Sequence, residues 1–238
     1  SIVQSKIQWQ NGRAIAYGDD DIVCEGQLML DENYLNALND DSDIIVIGRL
    51  ILPDVLPNEL LKRKVRSIKV TGAARFHEEN QATLQSALHQ TSRRSKMSII
   101  PQGFQYHEMP INLNSATLQS LASAKLFVDG QVLIERGVES AQLDSSIAAI
   151  NTTDLLLCPN DLSSVVAQKC DLLQTRAVFY GGELWLVEDE FELTPSRFEF
   201  MEGNATLVVR GEFYVSPDVE PKTLAGRIES IHNYGDIY

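Results

Sequence analysis

The stretch IIVIGRLILPDVLP, Ile44 to Pro57, alternates apolar residues around Gly48 and closes on Pro-Asp-Val-x-Pro. The phrase returns near the C-terminus as LVVRGEFYVSPDVEP, Leu207 to Pro221, with 163 residues between its central Gly211 and Gly48 (211 minus 48). With the glycine as zero, apolar residues stand at minus four, minus two, plus two and plus four: Ile44, Val46, Leu50 and Leu52 in one copy, Leu207, Val209, Phe213 and Val215 in the other. Gly72 and Gly130 carry the same frame, Gly26 and Gly182 fit it, Gly235 fits in part, and weaker copies have their zero at Gln102 and Asn160. A period of two over nine residues predicts a strand with one buried face. A glycine in the middle of that face predicts a bulge or the close approach of another backbone.

The zeros are spaced by 22 to 30 residues, and several segments between them read as helices: NELLKRKVR, NQATLQSALHQ, NSATLQSLASA, LDSSIAAI, LSSVVAQKCDLLQ and PKTLAGRIES. Each has apolar residues three and four apart, with Asn, Ser, Asp or Pro near its start. Strand then helix, repeated, predicts parallel strands with crossover connections. EDEFELTPSRFEFMEGNA reads as an irregular or antiparallel insertion. The expected fold class is therefore α/β, a repeat solenoid of about nine strand-plus-short-helix units with a parallel sheet. Residues 1–21 are expected to form an N-terminal cap and residues 22–238 a single solenoid domain, whose last unit stops at Tyr238 after its strand and so reads as cut short or ending in a bare strand. A doubly wound α/β fold and a parallel β-helix are the competing architectures. The first gives no reason for one internal frame in every strand, and the second does not suit helical spacers.

Strand-plus-short-helix units of this length resemble leucine-rich-repeat proteins, whose strands line the concave side of a curved solenoid. The resemblance covers about Ile22 to Tyr238 and is architectural. LLLCPNDL, Leu155 to Leu162, comes nearest to that family's pattern, but no asparagine recurs at its ladder position and glycine holds the strand centre. No functional residue carries over.

The chain has 33 acidic and 20 basic residues, a net charge of -13, which argues against nucleic acid as a partner. Its basic clusters, LKRKVR (Leu61 to Arg66) and Arg93, Arg94 and Lys96, are short and read as solvated faces. No apolar run reaches the length of a membrane span. Cys24, Cys158 and Cys170 show neither metal spacing nor an even count, so they read as buried free thiols. Those thiols, and the lack of a visible signal peptide, favour the cytoplasm.

Phosphate loops, dinucleotide fingerprints, HExxH and nucleophile elbows are absent from the sequence. The four histidines, His77, His89, His107 and His232, read as surface residues. The acidic clusters Asp19 to Asp21, Asp40 to Asp43 and Glu188 to Glu192 lack the calcium-loop pattern and read as solvated turns and helix caps. No catalytic residue, metal site or cofactor is expected.

The face opposite the apolar columns reads as wet, and its plus-three column holds Met29, Ile51, Arg75, Leu133, Trp185, Tyr214 and Tyr238. Aromatics above Glu183, Arg210 and Glu212 resemble a recognition surface. The expected function is a non-enzymatic protein-interaction or scaffold protein, with Trp185, Arg210, Glu212, Tyr214, Tyr238 and Glu183 as the contact residues and another protein, or a second copy, as partner. The alternative is a glycan-binding or glycan-hydrolysing protein. In it, Glu183 and Glu212 share a column on neighbouring units at about the 5 Å of a retaining glycosidase.

Overall fold

A computed structural model describes residues 6–10, 13–90 and 96–238, with side chains over 18–89 and 96–238; Arg93 and Arg94 lie outside the described residues, as does part of the expected cap. The protein is mixed α/β, with strands paired mostly in parallel, and divides into two units, Ser1–Tyr106 and His107–Tyr238.

In the first unit an antiparallel hairpin, β1 (Lys6–Gln10) and β2 (Arg13–Tyr17), precedes β3 (Ile22–Met29). The crossover helix α1 (Glu32–Ala37) is capped by Asp31, whose Oδ1 accepts from the Tyr34 N–H at 2.7 Å. It leads to β4 (Ser42–Ile51), which pairs with β3 over its length, Gly26 opposite Gly48. Next come α2 (Asn58–Lys64), β5 (Val65–Val70), β6 (Ala74–His77), α3 (Glu78–Ala87), β7 (Leu88–Gln90) and β8 (Met97–Ile100). β5 and β6 both lie against β4, Val46 opposite Val70 and Leu50 opposite Ala74, while β7 and β8 extend the ladder. A short strand, β9 (Gln105–His107), spans the boundary of the units.

The alternation seen in the sequence is the in-and-out alternation of these strands. Ile44, Val46, Leu50 and Leu52, with Ile68, Val70, Ala74 and Phe76, are at most 1% exposed and form one core with Leu35, Leu61 and Leu84 from the helices. Fully burying such a side chain contributes about 2 kcal/mol. The Pro-Asp-Val-x-Pro turn is clamped by the following strand and helix. His77 Nε2 lies 2.9 Å from the Pro53 carbonyl, and buried Asn80 accepts from Leu56 N–H at 2.9 Å while donating to Leu56 O at 2.7 Å. His77 is therefore a core residue, contrary to the surface reading, because the turn carbonyl needs a donor.

The second unit holds β10 (Ile111–Leu113), α4 (Ser115–Gln119), β11 (Ala124–Val128), β12 (Val132–Ile134), α5 (Ser140–Ser146), β13 (Ile147–Thr152), β14 (Leu155–Pro159), α6 (Ser163–Lys169) and β15 (Arg176–Tyr180). It continues with β16 (Glu183–Val187), β17 (Glu190–Leu193), α7 (Pro195–Glu199), β18 (Ala205–Val209), β19 (Glu212–Val215), α8 (Pro221–Arg227), β20 (Ile228–Asn233) and β21 (Asp236–Ile237). Strand order is β10-β12-β14-β15 in one sheet, with β11 beside β13, then β16-β18-β20 and β17-β19-β21. One core lies behind β10 to β15 and a second behind β16 to β21.

Several expected placements change. LDSSIAAI and PKTLAGRIES are helix only at their starts: Ile147 and Ile228 are already extended, although their N–H groups still bond the carbonyls of Leu143 and Leu224 four residues back. A leucine followed four residues later by the first residue of a strand mimics helical spacing. The supposed insertion is a regular parallel layer, since β17 pairs with β19, Phe191 opposite Phe213, and α7 follows with Pro195 in its first turn.

The frame also slips. Val132 pairs with Leu156, so Asp154 stands opposite Gly130 instead of Asn160. Ile100 pairs with His77, which puts the Gln102 copy out of register. Gly182 abuts Asn204, while Gly211 abuts Asp189, so these glycines occupy different columns.

The outer face is not uniformly wet. Ile45, Ile47 and Ile51 are buried in the first unit. In the second, Leu155, Leu157, Val178, Tyr180 and Val208 form an additional core with Leu133, Leu184 and Leu186, so the outward sides of two sheets pack together. The charged clusters neutralise one another: Asp40 pairs with Lys64 at 3.0 Å and Asp43 with Arg66, so LKRKVR and Asp40 to Asp43 are partners on adjacent strand-helix layers. The Lys64 ammonium, by hydrogen bond, holds the Asp40 carboxyl below its usual range.

At Gly48 a Cβ would stand 1.9 Å from the Gly26 carbonyl oxygen, whereas at Gly26, also at positive φ, a Cβ meets nothing within 4 Å. Gly48→Ala is therefore expected to lose about 3 kcal/mol or more, from strain and from separation of β3 and β4. Gly26→Ala is expected to lose only about 1 kcal/mol, from its backbone conformation. Urea unfolding of the two variants checks this; equal losses would remove the close-approach explanation.

Candidate functional site

The six residues singled out in the sequence fall into three places. Trp185 is the first. It points inward, into the core behind β16 to β21, and not outward as its position in the sequence frame implied. The reason is the register: Trp185 pairs with Leu207, two positions into the strand before Gly211, and Leu207 is a core residue. Its ring lies 6.4 Å from Phe191 and 6.5 Å from Phe198, and its indole N–H donates to Glu183 Oε2 at 3.0 Å. The other Glu183 oxygen accepts from the Glu202 N–H at 3.1 Å. The carboxylate thus fixes both the indole and the middle of the loop after α7.

Arg210 is the second place. Its guanidinium pairs with Asp154 at 2.8 Å and donates to Gln131 at 3.3 Å, tying the β18–β19 corner to the β13–β14 corner beside the packed outer faces. Arg210 therefore acts in holding two sheets together.

Glu212, Tyr214 and Tyr238 form the third place, on the outward side of β17-β19-β21. Glu190 pairs with Glu212 and Glu212 with Asp236, a column of three carboxylates, and Glu192 pairs with Tyr214 beside it. The Tyr214 hydroxyl donates to Glu212 Oε2 at 2.6 Å, and its ring stacks on Tyr238 with centroids 4.8 Å apart and planes 14° from parallel. The hydrogen bond to Glu212 pushes the Tyr214 phenol up to about 12, with burial, the Glu212 charge, Tyr238 and Glu190 acting the same way. Glu183 and Glu212 do not share a column: Glu183 faces Ala205, while Glu212 lies between Glu190 and Asp236.

The core behind β16 to β21 has two ends. In the column Trp185, Leu207, Ile231 the middle residue is 0% exposed and Ile231 is 44% exposed; in the column Phe191, Phe213, Ile237 the middle residue is 1% exposed and Ile237 is 41% exposed. Among the described residues β20 pairs only with β18 and β21 only with β19, and Tyr238 is 62% exposed. At the Trp185 end a cavity of about 430 Å³ opens between Glu183, Trp185, Phe191, Arg197, Phe200 and Met201.

Phe191, Arg197, Phe198, Phe200 and Met201 escaped the sequence analysis because their segment read as irregular. The signal for it was present: four aromatic or methionine residues in FEFM and FEL around a Thr-Pro helix start.

Burial pushes the Cys158 thiol up to about 12 and raises that of Cys170, which keeps both in the unreactive protonated form, while the Cys24 sulfur sits 3.6 Å from the Tyr34 hydroxyl. Among the described residues no group of three or more His, Cys, Asp or Glu side chains is placed to hold a metal, and no helix is long and apolar enough to cross a membrane.

Spectrophotometric titration of the phenols tests the geometry of the third place. Tyr214 is expected to ionise near 12, and Glu212→Gln to bring it back towards an ordinary tyrosine, because the carboxylate that favours the protonated phenol is gone. A phenol raised in the folded state stabilises fully below its unfolded pKa, about 10, and that contribution disappears as pH rises through the folded value. An unchanged titration curve in Glu212→Gln would remove the Tyr214–Glu212 bond as the cause. Compared with known proteins, the chain matches no family model, no curated protein and no solved structure.

Proposed function

We propose that the protein is a non-enzymatic interaction protein, built as a leucine-rich-repeat-like solenoid within its strand-helix layers, whose C-terminal strands are the contact region. The observation that carries this reading is the exposure of Ile231 and Ile237 in columns whose preceding members, Leu207 and Phe213, are buried. An apolar column that continues onto an open parallel edge accepts a further strand, which supplies both backbone hydrogen bonds and cover for the side chains. The Tyr214–Tyr238 stack beside that edge offers two rigid aromatic surfaces of the kind that concentrate binding energy. The partner is a protein, and a second copy of the chain is the occupant tested first.

Hydrolysis of glycans receives no comparable support, since Glu183 and Glu212 lie in different ladders and Trp185 is turned into the core.

Sedimentation velocity over a wide range of protein concentration is expected to show reversible self-association that Ile231→Lys abolishes and Tyr238→Ala weakens. The exposure of Ile231 on its edge strand makes the lysine variant compatible with folding, which circular dichroism checks. A native chain that remains monomeric throughout, with Ile231→Lys indistinguishable from it, would overturn the reading.

A further inference from the structure

The Trp185 end of the same core differs in kind from the Ile231 end: it is concave and walled. Six of the eight residues lining its cavity of about 430 Å³ are apolar, and three of those are the aromatic residues Trp185, Phe191 and Phe200. Phe200 stands on the rim, 83% exposed. A cavity of this volume, mostly apolar with a few fixed polar groups, has the character of a small-molecule site.

The polar groups decide the class of ligand. Each oxygen of Glu183 accepts one hydrogen bond, one from the Trp185 indole and one from the Glu202 N–H, so this carboxylate orients the wall. Arg197 is different. Its guanidinium lies over the Phe191 ring at 5.0 Å, and among the described residues no carboxylate pairs with it. In a chain of net charge -13 with 33 acidic residues, an arginine kept on an aromatic face at the mouth of a mostly apolar cavity, with no carboxylate paired to it among the described residues, is poised for an anion brought by the ligand.

We propose that this cavity binds a planar aromatic carboxylate, its ring against Trp185 and its carboxylate on Arg197. The apolar lining argues against a sugar, whose hydroxyls would need several partners there. A cation with no carboxylate paired to it among the described residues, at the mouth of this cavity, argues against a purely apolar occupant. The inference is independent of self-association at the Ile231 edge, and either can fail without the other.

The chain has two tryptophans, so a Trp9→Phe background leaves Trp185 as the only indole reporter. The probes are 2-naphthoate and its neutral counterpart 2-naphthamide. Naphthoate is expected to quench Trp185 fluorescence saturably and to bind about tenfold or more tightly than naphthamide, as a charge-assisted bidentate contact implies. Arg197→Gln is expected to remove that preference and leave naphthamide binding unchanged, while Arg197→Lys keeps the charge, loses the fork geometry and retains part of it.

Equal affinity for the two probes would overturn the proposal and assign the cavity to an apolar side chain of a partner. So would an absence of saturable quenching, or naphthoate binding that Arg197→Gln leaves intact. If Arg197→Gln disturbs the fold by circular dichroism, the acid-against-amide comparison on the Trp9→Phe chain decides the question alone.

Discussion

An inward side chain on a parallel ladder is covered when a neighbouring strand lies on each side of it; on an edge strand the cover must come from elsewhere, as it does at Leu193. That constraint organises this protein. Wherever three successive strands stack in register, the middle residue disappears from solvent, as Val46 does between Cys24 and Val70, or Phe213 between Phe191 and Ile237. At the two ends of the core behind β16 to β21 part of the same chemistry is left half-covered, and the two ends resolve the problem differently. At Ile231 and Ile237 nothing closes the edge among the described residues. At Trp185 the ring turns inward against Phe191 and Phe198, α7 and the following loop rise around it, and a walled cavity remains.

The backbone sets the spacing of these ladders, and the glycines show it. Gly48 rests on the Gly26 carbonyl, Gly72 on that of Gly48 and Gly235 on that of Gly211, at distances where no Cβ fits. Such contacts pull consecutive corners together and let the flanking strands run on either side of one bend. The same role falls to non-glycine partners elsewhere: Asn204 beneath Gly182, Asp189 beneath Gly211 and Pro110 beneath Gly130. Only one member of each pair must be glycine, which is why the glycine frame is strong in some copies and absent from others.

That asymmetry accounts for what the sequence reveals and what it conceals. Alternation around Gly48, Gly72, Gly130 and Gly211 correctly marks the buried columns, because burial on one face of a strand leaves a period of two. The pairing of columns is another matter. Steps between zeros count residues in helices and corners whose lengths vary, so the eye aligns Gly182 with Gly211, when Val187 in fact pairs with Val209 and Glu190 with Glu212. A slip of a few residues moves Trp185 from the outer face to the core and separates Glu183 from Glu212. Tyr214, Tyr238 and Glu212 survive the slip because they belong to strands adjacent in both readings. Local spacing also hides the helix ends: Leu143 and Ile147, or Leu224 and Ile228, are four apart whether the chain stays helical or straightens at the second residue.

Burial of the outer faces is what a single-face pattern cannot announce. Leu155 and Leu157 alternate with Leu156 and Cys158, so β14 is apolar on both sides, as a strand between two cores must be. The polar groups at the margin of that second core have partners of opposite character: Arg210 reaches Asp154 and Gln131, and the buried Tyr180 hydroxyl donates to the Ile134 carbonyl at 2.8 Å. Other cations of this acidic chain join adjacent layers, as Lys64 and Arg66 do. Arg197 follows neither pattern. It sits on an aromatic ring at the mouth of a cavity, and that placement is what singles it out.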